Sequence, residues 1–532
     1  MNGNILESLS DNIVIDKDKC IFCNICVETC VLDNLRMKLS PCRQACPLGV
    51  NCQGYVQLIA RGEEEKGMEV LRETLPFPGI LGRICSQPCE ENCHRKKIEG
   101  EAVAIRALKR YLVDSTGSKK FEPSIAPETG RRVAIIGSGP AGLMASYDLR
   151  SRGHRVTIIE KEPEPGGMLR WAIPEYRLPR KVLEGEIELL RDMGIEFRCG
   201  IAIESASDIA KLKEDFQALI IATGCPHPIT LHKSDHPPIQ NALPFLRSVR
   251  SGEPSPVGSR TVIIGGGNSA VDTARTALRL GAEKVSIVCL ESREEIPAFS
   301  WELEDALAEG IALECSWGAP KFISTSSGLK IEFSRCLAVF DSCGDFNPSY
   351  EPATKKQIEA DTVIIAIGQR IDTALFEYAG LDPVKPATDT LTLQTADEMI
   401  FVAGDCGTGP STAVEAMASG RRAAESVHRF LAGEHLRYGR AYAGPFELDF
   451  EIDTSRGAPH RRSALPRTLY REKNDFSEIE QGYDRETARR EAERCYSCGQ
   501  PYGRYRTCWF CLPCEVECPH DALWVEIPYL LR

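Results

Sequence analysis

The chain has no apolar run approaching the roughly 18 residues of a membrane-crossing helix, so no membrane span is expected. Positive charge is in deficit: 64 Lys and Arg stand against 76 Asp and Glu, a net charge of -12, with no basic block. Nucleic acid, held through clustered Lys and Arg, is therefore not an expected partner. The opening residues, MNGNILESLSDN, carry neither a basic start followed by an apolar stretch nor a twin-arginine signal. A reducing cytoplasm is the expected location, where abundant cysteine favours metal ligands over disulfides. Exposed clusters would suit anaerobic metabolism.

What the chain has is cysteine, 23 in 532 residues, sixteen of them near the two ends. At about 150 residues per domain, this length suggests three or four domains. A stretch from Ser115 to Gly130, rich in Ser, Lys, Pro and Gly, ends a cysteine-bearing first part. From Arg131, apolar runs alternate with helical stretches, the pattern of a parallel α/β architecture. The strand-like runs are Val133–Ile136, Val156–Ile159, Leu219–Ala222, Val262–Ile264, Val285–Val288, Thr362–Ile367 and Ile400–Ala403. Beyond Gly433 a charged stretch, roughly 436–480, reads as an extended linker over the core. A charged helix over Arg485–Glu493 leads into the last cysteines.

Two glycine loops follow strands and open helices. In VAIIGSGPAG, Gly137, Gly139 and Gly142 permit a tight turn and close approach to a pyrophosphate. Glu160, ending the next strand, is placed to accept a ribose hydroxyl. In TVIIGGGNSAVDTA, Gly265, Gly267 and Ala270 hold the equivalent positions. Glu291, at the end of that unit's second strand, would accept a 2′-hydroxyl and repel a 2′-phosphate, pointing to NAD rather than NADP, with Arg293 nearby weakening the argument. Later, FVAGD brings Gly404 and Asp405 to a strand end before a helix starting near Thr412, a place suited to flavin ribityl and pyrimidine groups.

These motifs, with EPGGMLRWAIPEYRLP, ATG at Ala222–Gly224, AIGQ at Ala366–Gln369 and VAGDCGTG, resemble the two-dinucleotide-binding flavoproteins, in which a nicotinamide domain interrupts an FAD domain. The match spans about 131–435. GGMLRWAIPEYRLP is similar to a narrower family: the glutamate synthase small subunit, the N-terminal part of dihydropyrimidine dehydrogenase, and the large subunit of NADH-dependent ferredoxin:NADP oxidoreductase. The resemblance implies FAD contacts from Pro140, Ala141, Lys161, Gly167, Met168, Arg177, Thr223, Gly224, Thr412 and Ala413, and NAD contacts from Asn268, Ser269 and Gly368. Two departures stand out. Ala172 replaces a usual glycine, and Leu290 and Glu291 stand where NADP-using members carry paired arginines, which strengthens the NAD assignment.

Cys20, Cys23, Cys26 and Cys30 have the CxxCxxCxxxC spacing of half a two-cluster ferredoxin, with Val31 where proline is usual. Cys508, Cys511, Cys514 and Cys518 repeat it with Pro519 in place. A [4Fe–4S] cluster is the expected occupant, with zinc the alternative. Either each half forms its own site, or the termini meet as one two-cluster module. The group Cys42, Cys46, Cys52, Cys85, Cys89 and Cys93 resembles the family's helical two-cluster domain, but the family's RCxxC pair is displaced to Cys495 and Cys498. The resemblance implies that the tail folds back, so that Cys42, Cys93, Cys495 and Cys498 bind one cluster. Cys46, Cys85 and Cys89 would bind another, with Cys52 as fourth ligand because Lys109 holds the family's glutamine position. Sixteen cysteines then make about four clusters. The other seven (Cys199, Cys225, Cys289, Cys315, Cys336, Cys343 and Cys406) read as small core residues.

The expected fold is α/β, two nested Rossmann-like domains with an α-helical iron–sulfur domain and ferredoxin-like terminal segments. The boundaries read as 1–38 ferredoxin-like, 39–118 helical iron–sulfur, 131–240 with 360–435 FAD-binding, 241–359 NAD(P)H-binding, 436–494 linker, and 495–532 ferredoxin-like. The expected function is electron transfer between NAD(H) and, through FAD and the clusters, a partner oxidoreductase or ferredoxin in a hetero-oligomeric complex. Hydride transfer needs orientation rather than an acid–base group, so no catalytic side chain is nominated. The alternatives are flavin-based electron bifurcation, a wiring module that no longer binds nicotinamide, and a disulfide reductase. The last is disfavoured because no CxxC lies in the nicotinamide region.

Overall fold

Each apolar run named above forms a strand. The computed structural model describes residues 13–16, 18–31, 35–117, 121–231, 239–325, 328–384, 386–387, 389–440, 446–468, 470, 472–503, 508 and 511–526. The opening residues read for a targeting signal lie outside them. The chain divides into two units: 1–122 with 435–466 and 482–532, and 123–434 with 467–481.

In the second unit, a five-stranded parallel sheet runs in the order Ile400–Val402, Ala218–Ile221, Arg132–Ile136, Arg155–Glu160, Glu196–Cys199. Four of its strands are largely buried, as their near-continuous Val, Ile and Leu content requires, while the edge strand Glu196–Cys199 is partly exposed. A second parallel sheet runs Ala312–Glu314, Lys284–Val288, Arg260–Ile264, Thr362–Ile365, Ile239–Asn241. The expected boundaries at 241 and 359 therefore fall inside this sheet, which takes a strand from each flank. Sequence runs alone do not tell which sheet a buried strand joins. A three-stranded antiparallel sheet (Trp317–Thr325, Gly328–Phe340, Phe346–Ala360) follows; it was not expected. It packs Leu329, Ile331 and Phe333 against Val262, Ile264 and Val363.

The first unit is helical at its centre, with helices Cys52–Arg61, Glu64–Arg72, Pro78–Ile84, Ile105–Thr116 and Arg485–Ala492. Its ends join: Ile13–Ile15 pairs antiparallel with Leu523–Val525. Leu35–Lys38 lies between Phe446–Glu447 and Gln500–Gly503. The expected 436–494 linker is thus divided between the units. Its 467–481 portion packs on the flavoprotein unit, where Asn474 N donates to Arg279 O (2.7 Å), Ile479 N donates to Tyr176 O (3.0 Å), and Phe476 stacks on Tyr176. Among the described residues, no helix is long and apolar enough to cross a membrane.

Candidate functional site

The first glycine loop is built by steric exclusion. Gly137 has φ 106°, and a Cβ there would lie 2.5 Å from Ala222 O; one on Gly142 would lie 2.1 Å from Gly137 O. Over Gly139, by contrast, the space is open. It precedes the helix Pro140–Ser151, whose first turn no side chain caps. Open space over the loop and an uncapped helix N-terminus fit a pyrophosphate. Glu160 is buried and braces the loop, accepting from Ser138 N (2.9 Å), Glu162 N (2.9 Å) and the Ser138 hydroxyl; a carboxylate retains lone pairs beyond these. Ser138 Oγ accepts in turn from Gly166 N (2.9 Å), and a Cβ on Gly167 would lie 2.8 Å from Gly139 Cα, so Gly167 and Met168 adjoin the loop.

Gly404 and Asp405 come to the same end of this sheet. Gly404 N donates to Ser419 Oγ (2.9 Å), and Ser411 donates to Asp405 Oδ1 (2.6 Å). Burial pushes the Asp405 carboxyl up. Thr412 caps the long helix Ala413–Ala432 through a capping box with Glu415. That helix touches the first: a Cβ on Gly420 would lie 2.1 Å from Ala141 O. Sequence reading missed Gly420, although a lone glycine inside a helical pattern signals such an approach. Thr223 and Gly224 follow the strand Ala218–Ile221 beside Cys406, and the space over Gly224 is open.

The second loop repeats the design. Gly265 has φ 136° with its absent Cβ directed at Ala366 O (2.3 Å), and Gly267 is open above the uncapped helix Asn268–Arg279. Asn268 Oδ1 accepts from Phe299 N (2.8 Å). A Cβ on Gly266 would lie 2.7 Å from Glu291 Oε2, so the acid sits directly beside the loop, while Arg293 is exposed. Gly368, at φ 124°, flanks the ribbon that pairs Gln369–Arg370 with His227–Pro228.

Arg177, expected among the flavin contacts, is tied to protein carboxylates. Its guanidinium ion-pairs with Asp272 (2.6 Å) and Glu302, both in the nicotinamide domain, and the ion pairs hold its pKa above the ordinary value despite burial. Beside it, Tyr176 lies under Arg279 (4.2 Å) and Arg275 (5.3 Å), which both bind Glu309 at 2.8 Å. The two arginines hold the Glu309 carboxyl down, at about 2, against the effect of burial.

In the iron–sulfur unit, Cys20, Cys23, Cys26 and Cys518 line one cavity with His520. Cys514 lies within the electrostatic reach of Cys30, Cys508 and Cys511. Cys42, Cys93, Cys495 and Cys498 line a second cavity with Cys52 on its wall. Cys52 hydrogen-bonds both Cys42 and Cys89, and Lys109, buried, feels Cys85, Cys89, Cys46 and Cys52 together. Burial pushes the Cys20 and Cys514 thiols up to about 11 and Cys495 to about 12, whereas the hydrogen bond from Cys52 lowers Cys42 to about 7. Soft, convergent thiols in apolar surroundings suit iron–sulfur clusters. Among the described residues, no group of His, Cys, Asp or Glu is arranged to hold a single metal ion.

The tail is held by a buried pair. Arg494 and Glu491 are each fully buried and 2.7 Å apart; Arg494 also donates to Ala102 O (2.8 Å), Glu101 O (3.0 Å) and His460 O (2.9 Å). Asn51 ties the helix Cys52–Arg61 to the first cysteine loop, accepting from Gly54 N (3.0 Å) and donating to Ile21 O (2.9 Å). Neither anchor was legible as functional. Of the seven other cysteines, Cys225, Cys289, Cys336 and Cys406 are buried; Cys199 and Cys315 are half-buried and Cys343 is exposed, contrary to a uniform core role.

Comparison with known proteins agrees with this layout. Residues 131–420 match the pyridine nucleotide-disulphide oxidoreductase family, and residues 5–121 match the dihydropyrimidine dehydrogenase domain II, 4Fe-4S cluster family. The chain is 33% identical over 506 residues to the NADP(+)-dependent formate dehydrogenase subunit beta of Moorella thermoacetica, covering 86% of this chain and 70% of that one. It is 31% identical over 400 residues to the NAD-dependent dihydropyrimidine dehydrogenase subunit PreT of Escherichia coli, covering 74% and 92%. The fold matches FprA of Mycobacterium tuberculosis with a TM-score of 0.50 at 17% identity, over 58% of this chain and 85% of that one. Glycine loops, nested sheets and cysteine groups together make the chain a member of the pyridine nucleotide-disulphide oxidoreductase family, in its iron–sulfur flavoprotein branch.

Proposed function

We propose that the chain is the NADH-linked electron-transfer subunit of a larger oxidoreductase, holding one FAD and four [4Fe–4S] clusters. The observation that carries this reading is that cysteines from the two ends of the chain line one cavity, Cys518 with Cys20, Cys23 and Cys26. The ligand sets are then Cys20, Cys23, Cys26 and Cys518; Cys30, Cys508, Cys511 and Cys514; Cys42, Cys93, Cys495 and Cys498; and Cys46, Cys52, Cys85 and Cys89. When bound, FAD takes electrons from nicotinamide in pairs and clusters carry them singly.

The chain's own residues bind and orient. The two glycine loops take pyrophosphates, Glu160 and Asp405 take FAD hydroxyls, and Glu291 takes the NAD ribose and repels a 2′-phosphate. The relatives named for NADP(+) and for NAD leave both nucleotides within the family's range; Glu291 beside Gly266 favours NADH. Relatives named as subunits support a catalytic partner, with ferredoxin the alternative acceptor. The test is anaerobic purification, with flavin and iron measured per chain alongside NADH- and NADPH-dependent viologen reduction. About one FAD and about 16 irons are expected, four irons per cluster, with NADH preferred. About eight irons would halve the ligand list, and faster NADPH turnover would overturn the nucleotide assignment.

A further inference from the structure

We propose that Cys289 and Cys315 form a reversible disulfide that weakens NAD(H) binding when low-molecular-weight disulfides accumulate. Neither belongs to the sixteen cluster-type cysteines. They are brought together by the nicotinamide sheet, where Lys284–Val288 and Ala312–Glu314 run parallel with Val288 opposite Glu314. The ladder continues one step further, since Cys289 N donates to Glu314 O (3.1 Å). That register makes Cys289 and Cys315 neighbours on the same face. Parallel strands lie about 4.8 Å apart, inside the roughly 4.4–6.8 Å between Cα atoms that a disulfide spans. The two thiols lie within electrostatic reach of each other.

Their position couples them to the nucleotide. Cys289 Sγ donates to Glu291 O (3.7 Å), and Ser316 N, just past Cys315, donates to the same carbonyl (2.8 Å). A Cβ on Gly266 would lie 3.1 Å from Cys289 Cβ and 2.7 Å from Glu291 Oε2, so thiol and carboxylate flank one glycine. Cys289 is 2% exposed and Cys315 half-buried, which gives the order of events. Cys315 thiolate attacks a disulfide such as oxidised glutathione, releasing one glutathione thiol and leaving a mixed disulfide. Cys289 then gives up its proton, attacks the Cys315 sulfur and releases the second glutathione thiol. Two protein thiols are oxidised and one glutathione disulfide is reduced. The S–S bond, about 2.05 Å, removes the Cys289 donor from Glu291 and locks the strand ends together under the loop.

The effect on NADH rests on the second glycine loop being the nicotinamide site; the disulfide itself does not. The test equilibrates anaerobic holoprotein with reduced and oxidised glutathione, alkylates it and digests it without reduction. Mass analysis and NADH-dependent viologen reduction are run on the same samples. The expected result is a Cys289–Cys315 peptide pair two hydrogens lighter, reversed by dithiothreitol, with KM for NADH raised several-fold and iron and flavin unchanged. Cys315→Ser keeps the reduced protein's KM and abolishes both the linkage and the rise; Cys289→Ala, a second variant, abolishes the linkage. No linked peptide in excess oxidised glutathione overturns the proposal, and so does a linkage that leaves KM unmoved. A linkage in protein whose reduced form never turns over NADH would instead overturn the nicotinamide reading.

Discussion

Ile13 pairs antiparallel with Val525, so strands from opposite ends of the chain are hydrogen-bonded neighbours. Each leads from or to a CxxCxxC loop, and the fourth cysteine of each motif is carried across to the other. Cys518 joins Cys20, Cys23 and Cys26, and Cys30 joins the Cys514 group. The crossing makes a prediction about non-additivity. Cys518→Ser and Cys20→Ser should each remove the same cluster, about four irons per chain, and the double variant should lose no more than either alone. Losses that add to about eight irons would mean each terminus holds a cluster of its own.

Lys109 lies 6% exposed among Cys85, Cys89, Cys46 and Cys52. Burial alone would lower its pKa, but the thiolates outweigh burial and keep the ammonium charged. A fixed cation favours the more negative, reduced state of a cluster held there. Its removal by Lys109→Met should lower that cluster's reduction potential by on the order of 100 mV, taking one charge about 6 Å away at an effective dielectric near 20. An anaerobic redox titration followed by electron paramagnetic resonance reads this directly. A potential that does not move would show that Lys109 only fills space.

The glycine loops were legible because their constraints are local: strand, turn, helix start and acid fall within a few dozen residues. Cysteine spacing gave the ligand chemistry for the same reason. Which thiols meet depends on long-range pairing such as Ile13 with Val525, so the meeting of the termini stayed one of two readings. The ion pairs of Arg177 were not legible because Asp272 and Glu302 lie far along the chain. The antiparallel sheet was missed although Leu329, Ile331 and Phe333 alternate with polar residues, since long stretches of Phe346–Ala360 are polar and exposed. Arg494 and Glu491 look like solvated helix charges in sequence, yet both are buried.

Under the proposed reading, Glu291 is the residue that sets nucleotide choice. Its Oε2 lies beside Gly266 of the second loop, where a 2′-phosphate on a bound ribose would face a like charge. Glu291→Gln should raise NADPH kcat/KM by about tenfold, the ~1.4 kcal/mol expected from removing one screened like-charge contact, while NADH kcat/KM falls. Parallel kinetics with the two nucleotides measure the ratio. An unchanged ratio would move the selector elsewhere, with exposed Arg293 the next residue to vary.

His154 gives the flavoprotein unit an acid limit. Its Nδ1 lies 2.8 Å from Thr129 Oγ1, and its Nε2 lies 2.9 Å from His428 Nδ1. Burial first, then the charge of His428, lowers its pKa from 6.5 to about 4, and burial lowers His428 as well. The unfolded chain therefore takes up this proton at a higher pH than the folded one. The stabilisation is complete above about pH 6.5, is lost as pH falls from there to about 4, and changes no further below. With His428 partly exposed, the loss is discounted to ~2 kcal/mol. Thermal midpoints taken from pH 7.5 to 4 should fall for the native protein and fall less for His154→Gln, which keeps a polar side chain there without a titrating ring. Equal slopes for the two proteins would assign the acid sensitivity to other groups.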